Sequence, residues 1–194
     1  MAFAVDNAQL ALLRKAVQEK ILQENLQEEG LSLAAIAARE KLTFRRAPDA
    51  ELIRLASDGS PTGAGVPAGA IRALPAGSYE IIIRQDDNYC RQRFTFAHEL
   101  GHYFMHRDKL DGGSIVDFYD RDGATPGRSV VMRRQRSADS EEEVVANEFA
   151  AELLMPEKKV RVLWNYTHSL SVLADMFSVS RSAMASRLSK LGIA

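Results

Sequence analysis

The stretch "FTFAHELGHYFM", residues 94–105, sets two histidines and a glutamate inside an otherwise apolar run. Phe94, Phe96, Ala97, Leu100, Phe104 and Met105 predict a helix buried on most sides, and polar groups embedded in it need partners to offset the loss of water. His98 and His102 stand one helical turn apart, so both imidazoles can reach a single ion. Glu99 is rotated about 100° from His98, beside such an ion rather than on it, where a general base belongs. Gly101 removes a side chain where a second helix could approach. A fold containing this segment must therefore bring it another element with a further ligand.

Composition limits that ligand. Cys90 is the only cysteine, which excludes an intrachain disulfide framework and every cysteine-rich zinc site and leaves histidine and carboxylate. A hydrolytic zinc site takes three protein ligands and keeps one position open. His106 extends the same spacing, but the outer two of three such side chains lie about 12 Å apart along the axis, too far for one tetrahedral ion. The metzincin pattern would need glycine at 105 and histidine at 108, where Met105 and Asp108 stand. His106 reads as a capping or surface residue.

The remaining source is "SEEEVVANEFAAELLMP", residues 140–156. Glu148 shares a stripe with Glu141 and Glu152, the pattern of a solvated face. Glu143 lines up with Asn147, Ala150 and Leu154, an inward stripe whose small residues suit close packing on Gly101. Glu142 also points down an apolar stripe, through Val145, Phe149 and Leu153, and spacing alone leaves it open. Asn147, one turn beyond Glu143 and placed to orient a ligating histidine, favours Glu143.

Around these helices the patterning predicts an α+β fold, with a small antiparallel sheet packed on the two-helix metal site and a helical C-terminal half. Residues 6–28 read as an amphipathic helix stopped by Gly30, and "LSLAAIAARE" as a second helix capped by Ser32. "KLTFRRAP" reads as a strand leading to a helical turn in "DAELIRLA", and residues 57–69 as a Gly/Pro-rich loop. "AIRAL" and "SYEIIIRQ" form a hairpin about "PAG". Residues 107–127 read as a long surface loop, followed by "SVVMRRQR" as an edge strand able to take up an extended substrate, with Arg133, Arg134 and Arg136 meeting acidic groups. Helices follow from Asp139 onward. The organisation is residues 1–27 as an N-terminal helix, 28–156 as the core that carries the metal site and 157–194 as a C-terminal helical segment.

Twenty-five basic and 26 acidic residues give a net charge of -1, so no global field favours nucleic acid or an anionic membrane. The longest uncharged run, "GLSLAAIAA", is far short of a membrane span, and a cytoplasmic protein with no membrane partner is expected. "LADMFSVSRSAMASRLSKL" has the cadence of a helix-turn-helix carrying Arg181, Arg187 and Lys190. Its turn lacks the usual glycine and its basic residues are few, so packing beside the metal helices is expected ahead of direct DNA binding.

Together, "RFTFAHELGHYFMH" and "EVVANEFAAELLMP" resemble the ImmA/IrrE family of bacterial and phage metallopeptidases over roughly residues 28–193. The second motif is the more specific. The resemblance implies metal ligands at His98, His102 and Glu143 with Glu99 catalytic, and so decides between Glu142 and Glu143. It implies a zinc ion, with Mn²⁺ as the alternative, and a protein substrate of the helix-turn-helix repressor type whose cleavage releases mobile-element or stress genes. Candidate donors to the oxyanion are Tyr103, Tyr119, Tyr166 and His168, with Tyr103 better placed for packing. The rival reading is a catalytically silent metal protein that binds a repressor or DNA without cutting.

Overall fold

The computed structural model describes residues 7–27, 32–56, 67–74, 78–110, 117–121, 129–130 and 141–193. Helix α1 (Asn7–Gln23) is followed by α2 (Leu33–Arg39), whose first turn is capped by the Ser32 hydroxyl accepting from the Ala35 amide at 3.1 Å. Strand β1 (Leu42–Ala47), helix α3 (Asp49–Ala56), and strands β2 (Pro67–Leu74) and β3 (Ser78–Arg84) come next.

The sheet is mixed rather than antiparallel. Its order is β1-β3-β2-β4-β5, with β4 at Asp117–Arg121 and β5 at Ser129–Val130. β2 and β3 form the expected antiparallel hairpin, whereas β1 runs parallel to β3, Leu42 facing Tyr79 and Ala47 facing Arg84. The reason is the α3 crossover: a helix between β1 and β2 carries the chain over the sheet, so the returning hairpin strand lies beside β1 in the same direction.

Two further elements occupy the expected surface loop of residues 107–127. The histidine helix α4 (Tyr89–Leu110) runs on for 22 residues, and β4 pairs with β2. β5 pairs with β4 at the sheet edge, as "SVVMRRQR" predicts for its first residues, while Arg133, Arg134 and Arg136 lie outside the described residues. β2 begins at Pro67, inside the predicted 57–69 loop; residues 57–66 and Gly30 also lie outside the described set.

Strand alternation divides the β3 side chains between two layers. Ile82 packs with Ala47 and Leu52 under α3, while Tyr79, Ile81 and Ile83 join Ile71 beneath Phe96, Leu100, Tyr103 and Phe104 of α4. Helix α5 (Glu141–Leu154) lies on α4, stacking Phe149 against Phe104 with ring centroids 5.8 Å apart. Gly101 makes the approach possible: a Cβ there would stand 3.1 Å from both Ala146 Cα and Phe149 Cβ, so the two helix backbones meet where one side chain is missing.

The outer face of α5 overturns the solvated stripe predicted for Glu148 and Glu152, which are 1% and 8% exposed. Helices α6 (Glu157–Thr167), α7 (Leu170–Phe177) and α8 (Arg181–Lys190) fold back on α5, and α1 covers it from the other side. Arg14 of α1 and Lys190 of α8 donate to the two oxygens of Glu148 at 3.1 and 2.6 Å. Arg187 pairs with Glu152 and donates to the Met155 carbonyl at 3.1 Å. Periodicity could not show this burial because the covering helices lie far away in sequence. The turn between α7 and α8 is made by Ser178 in the left-handed region, φ 53°, in place of the absent glycine. Arg93 of α4 donates to the Phe177 and Ser178 carbonyls and ties that turn to the histidine helix.

Candidate metal centre

His98, His102 and Glu143 converge. The two Nε2 atoms are 3.0 Å apart, and each lies 3.4 Å from a different oxygen of the Glu143 carboxylate. Both imidazoles are fully buried and Glu143 is 4% exposed. The convergence follows from the local sequence: the one-turn spacing aligns the rings on α4, and the Gly101 contact lets α5 come near enough to deliver a carboxylate.

Asn147, one turn along α5 from Glu143, accepts from His98 Nδ1 through its Oδ1 at 3.1 Å. An amide oxygen can only accept, so the Nδ1 proton is held there and the Nε2 lone pair of neutral His98 is turned toward the centre. Burial by itself would raise the Glu143 carboxyl's pKa. In the metal-free protein, hydrogen bonds and charge from His102 and His98 in their protonated form outweigh it and hold the group well below the ordinary carboxylate range, so Glu143 is an anion.

Two imidazoles and a carboxylate form the donor set of a hydrolytic zinc site. Tetrahedral zinc with such ligands at about 2.0–2.2 Å separates neighbouring donors by roughly 3.3–3.5 Å, and the separations here are 3.0, 3.4 and 3.4 Å. The residues fit a small divalent cation, and among the described residues this is the one group of three or more such side chains able to hold a metal.

A family model described as the IrrE N-terminal-like domain, of a peptidase family, matches residues 60–189. The chain belongs to this family. The IrrE N-terminal-like proteins are metallopeptidases, and the matched span runs from before β2 to the last turn of α8, taking in all three residues of the cluster. No curated protein matches the chain significantly.

The other residues singled out in the sequence sit as follows. Glu99 is fully buried on the side of α4 facing β2. The hydroxyl of Tyr103 donates to Glu40 at 3.3 Å and its ring packs edge-on against Tyr79, the packing role expected of it. Tyr166 is 82% exposed on α6, and His168 ends that helix in the left-handed region against Trp164. The side chains of His106, Tyr119, Glu141 and Glu142 lie outside the described residues. In the helix-turn-helix-like segment Arg181 is exposed, while Arg187 and Lys190 turn inward to the α5 carboxylates.

Two neighbours of Glu99 escaped the sequence reading. Gly69 of β2 faces α4 so closely that a Cβ on it would stand 2.4 Å from Thr95 Cγ2 and 3.1 Å from Glu99 Oε1. Both left a signal: Gly69 is an isolated glycine within an apolar strand, which marks a bulge or close approach, and Thr95 is a polar residue in an apolar run one turn before Glu99.

Proposed function

We propose that this chain is a zinc-dependent endopeptidase of the zincin type, with Glu99 as its general base and a helix-turn-helix transcriptional repressor as its substrate. The observation that carries the peptidase reading is the convergence of His98 Nε2, His102 Nε2 and Glu143 within 4.8 Å in a chain of a metallopeptidase family. The repressor is supported by the resemblance of the two motifs to the ImmA/IrrE enzymes.

His98, His102 and Glu143 would hold the ion, with Asn147 fixing the tautomer and orientation of His98. A divalent ion bound there supplies Lewis acidity toward both water and a peptide carbonyl. Glu99, adjacent in sequence to a ligand but turned toward β2, takes the proton of the attacking water and returns it to the departing amine, completing hydrolysis without being consumed. Burial of the whole group strengthens each of these electrostatic effects.

The test compares wild type with Glu99→Gln on purified helix-turn-helix repressors in the presence of Zn²⁺ or Mn²⁺, scoring cleavage by mass spectrometry. Wild type yields two fragments from one bond. Glu99→Gln keeps its metal and its complex with the repressor but cleaves at least about 100-fold more slowly, the effect of losing a general base. Release of a repressor from DNA with no bond cut, equally by both proteins, would falsify the enzymatic reading in favour of a silent binder.

A further inference from the structure

We infer that Gly69 and Thr95 form the seat of the Glu99 carboxylate: the missing side chain at 69 sets where the carboxylate rests, and the Thr95 hydroxyl holds it there as a positioning group. The inference rests on the proposed role of Glu99 and adds two residues to it.

The first observation is steric. β2 pairs in order with β3 through Gly69 and Ile83, but its register with β4 slips between Pro67 and Gly69, an irregularity of the bulge kind beside the site. At the slip, Gly69 lies close against α4. A Cβ on Gly69 would meet Thr95 Cγ2 at 2.4 Å, Glu99 Oε1 at 3.1 Å and the Ile82 carbonyl oxygen at 3.2 Å. The first contact is impossible without movement. The second is tight against a carboxylate oxygen, so any side chain at 69 displaces Glu99 as well as Thr95.

The second observation is polar and independent of the first. Thr95 is completely buried, and among the described residues its Oγ1 has no hydrogen-bond partner. A threonine in a helix ordinarily turns its hydroxyl to the carbonyl one turn back, and its branched side chain has few rotamers. Here the methyl lies toward Gly69 while the hydroxyl is kept, at the cost of burying an unused donor, one turn before Glu99 on the same side of α4. That hydroxyl makes no direct bond to the Glu99 carboxylate here, and a carboxylate one turn away accepts such a donor through one water. The strand limits where the Glu99 carboxylate can lie, and the Thr95 hydroxyl, reaching it through that water, holds it, so the base is presented in one orientation.

The experiment uses Thr95→Val, which keeps the shape and removes the hydroxyl, Thr95→Ser, which keeps the hydroxyl and removes the methyl, and Gly69→Ala alone and with Thr95→Ser. Glutamate labelled with ¹³C at the carboxyl reports on Glu99 directly, its resonance assigned by its loss in Glu99→Gln, and needs no substrate. In the zinc-loaded protein Thr95→Val moves or broadens that resonance and Thr95→Ser returns it close to wild type, with one zinc per chain throughout. On a repressor that wild type cleaves, Thr95→Val lowers kcat about tenfold with KM unchanged, and Thr95→Ser recovers most of it. Gly69→Ala with Thr95→Ser folds, binds zinc and still shows a displaced Glu99 signal, because the contact with Oε1 remains. An unmoved Glu99 resonance in Thr95→Val overturns the role of the hydroxyl, and a wild-type resonance in the double variant overturns that of Gly69. Failure of wild type to cleave any repressor counts against the proposed function alone, since the resonance test stands without it.

Discussion

Helix α5 buries carboxylates on two faces, and they are satisfied in opposite ways. On the face toward α4, Glu143 meets two imidazoles and the amide of Asn147 holds one of them; on the face toward α1 and α8, Glu148 and Glu152 meet Arg14, Lys190 and Arg187. Arginine and lysine are permanently charged at neutral pH, so the outer carboxylates are neutralised by the protein itself. Imidazoles that give up their protons to ligate bring lone pairs but no charge, so the inner anion is then completed by a cation from outside. A buried acid surrounded by arginines belongs to the scaffold, and one surrounded by histidines is a place for metal.

The contrast breaks most sharply under alanine substitution. Glu143→Ala should reduce bound zinc from one ion per chain to nearly none, read by native mass spectrometry after desalting, whereas Glu148→Ala should leave it at one. The second variant should instead lose about 2 kcal/mol of stability, because removing the buried acid leaves Arg14 and Lys190 without it, and their partial exposure moderates the cost. In a chain of this size that lowers the melting temperature by about 4–8 °C. Loss of zinc in Glu148→Ala at full folding would show the two faces to be one unit.

A Cβ at Gly101 tests how closely the inner face depends on backbone contact. Gly101→Ala should destabilise by about 1–2 kcal/mol through overpacking against α5 and should weaken zinc binding together with it, since the displaced helix carries Glu143. Calorimetry and a zinc titration measure both; a drop in stability with unchanged zinc affinity would uncouple them.

A smaller effect separates the faces by pH. Burial alone would raise the Glu148 pKa, but the hydrogen bond and charge of Lys190, with Arg14, bring it below the 4.5 of a free glutamate. Its stabilisation is therefore complete above about 4.5 and is lost as pH falls through the depressed folded value. Urea unfolding of the zinc-free protein from pH 7 to pH 3 should show a shallower acid loss in Glu148→Gln than in wild type; equal slopes would deny the clasp its electrostatic role. The smallest effect belongs to Arg161, which reaches Glu157 at 2.7 Å one turn away on α6 and is half exposed. Arg161→Ala should cost no more than about 0.5 kcal/mol.

The two faces also differ in how far they could be read from the sequence. Glu143, Asn147 and Gly101 lie on stripes whose residue types constrain one another, so small residues, a ligand and its orienting amide identify an inward face without coordinates. Glu148 and Glu152 make a stripe that looks solvated, because their cations lie in α1 and α8 and no local pattern connects them. The β2–β3 hairpin announces itself by two apolar runs about a turn, whereas the parallel β1–β3 pair depends on a crossover and β4 on a polar segment, "DFYDR", that becomes a strand only beside β2. Arg187, a reasonable DNA contact by its place in a helix-turn-helix cadence, is 2% exposed against Glu152.

The Arg14–Glu148–Lys190 clasp also bears on the order in which the molecule is assembled. His98 and Asn147 are 49 residues apart, while Arg14 is 134 residues from Glu148 and 176 from the Lys190 carbonyl that it also reaches. Closing the 134-residue separation rather than the 49-residue one costs roughly 0.9 kcal/mol more chain entropy. Synthesis, moreover, delivers α4 and α5 before α8. In a chain emerging from the ribosome the two metal helices can pair first, with Glu148 waiting for its lysine, so the ionic clasp closes over a site whose ligands have already met.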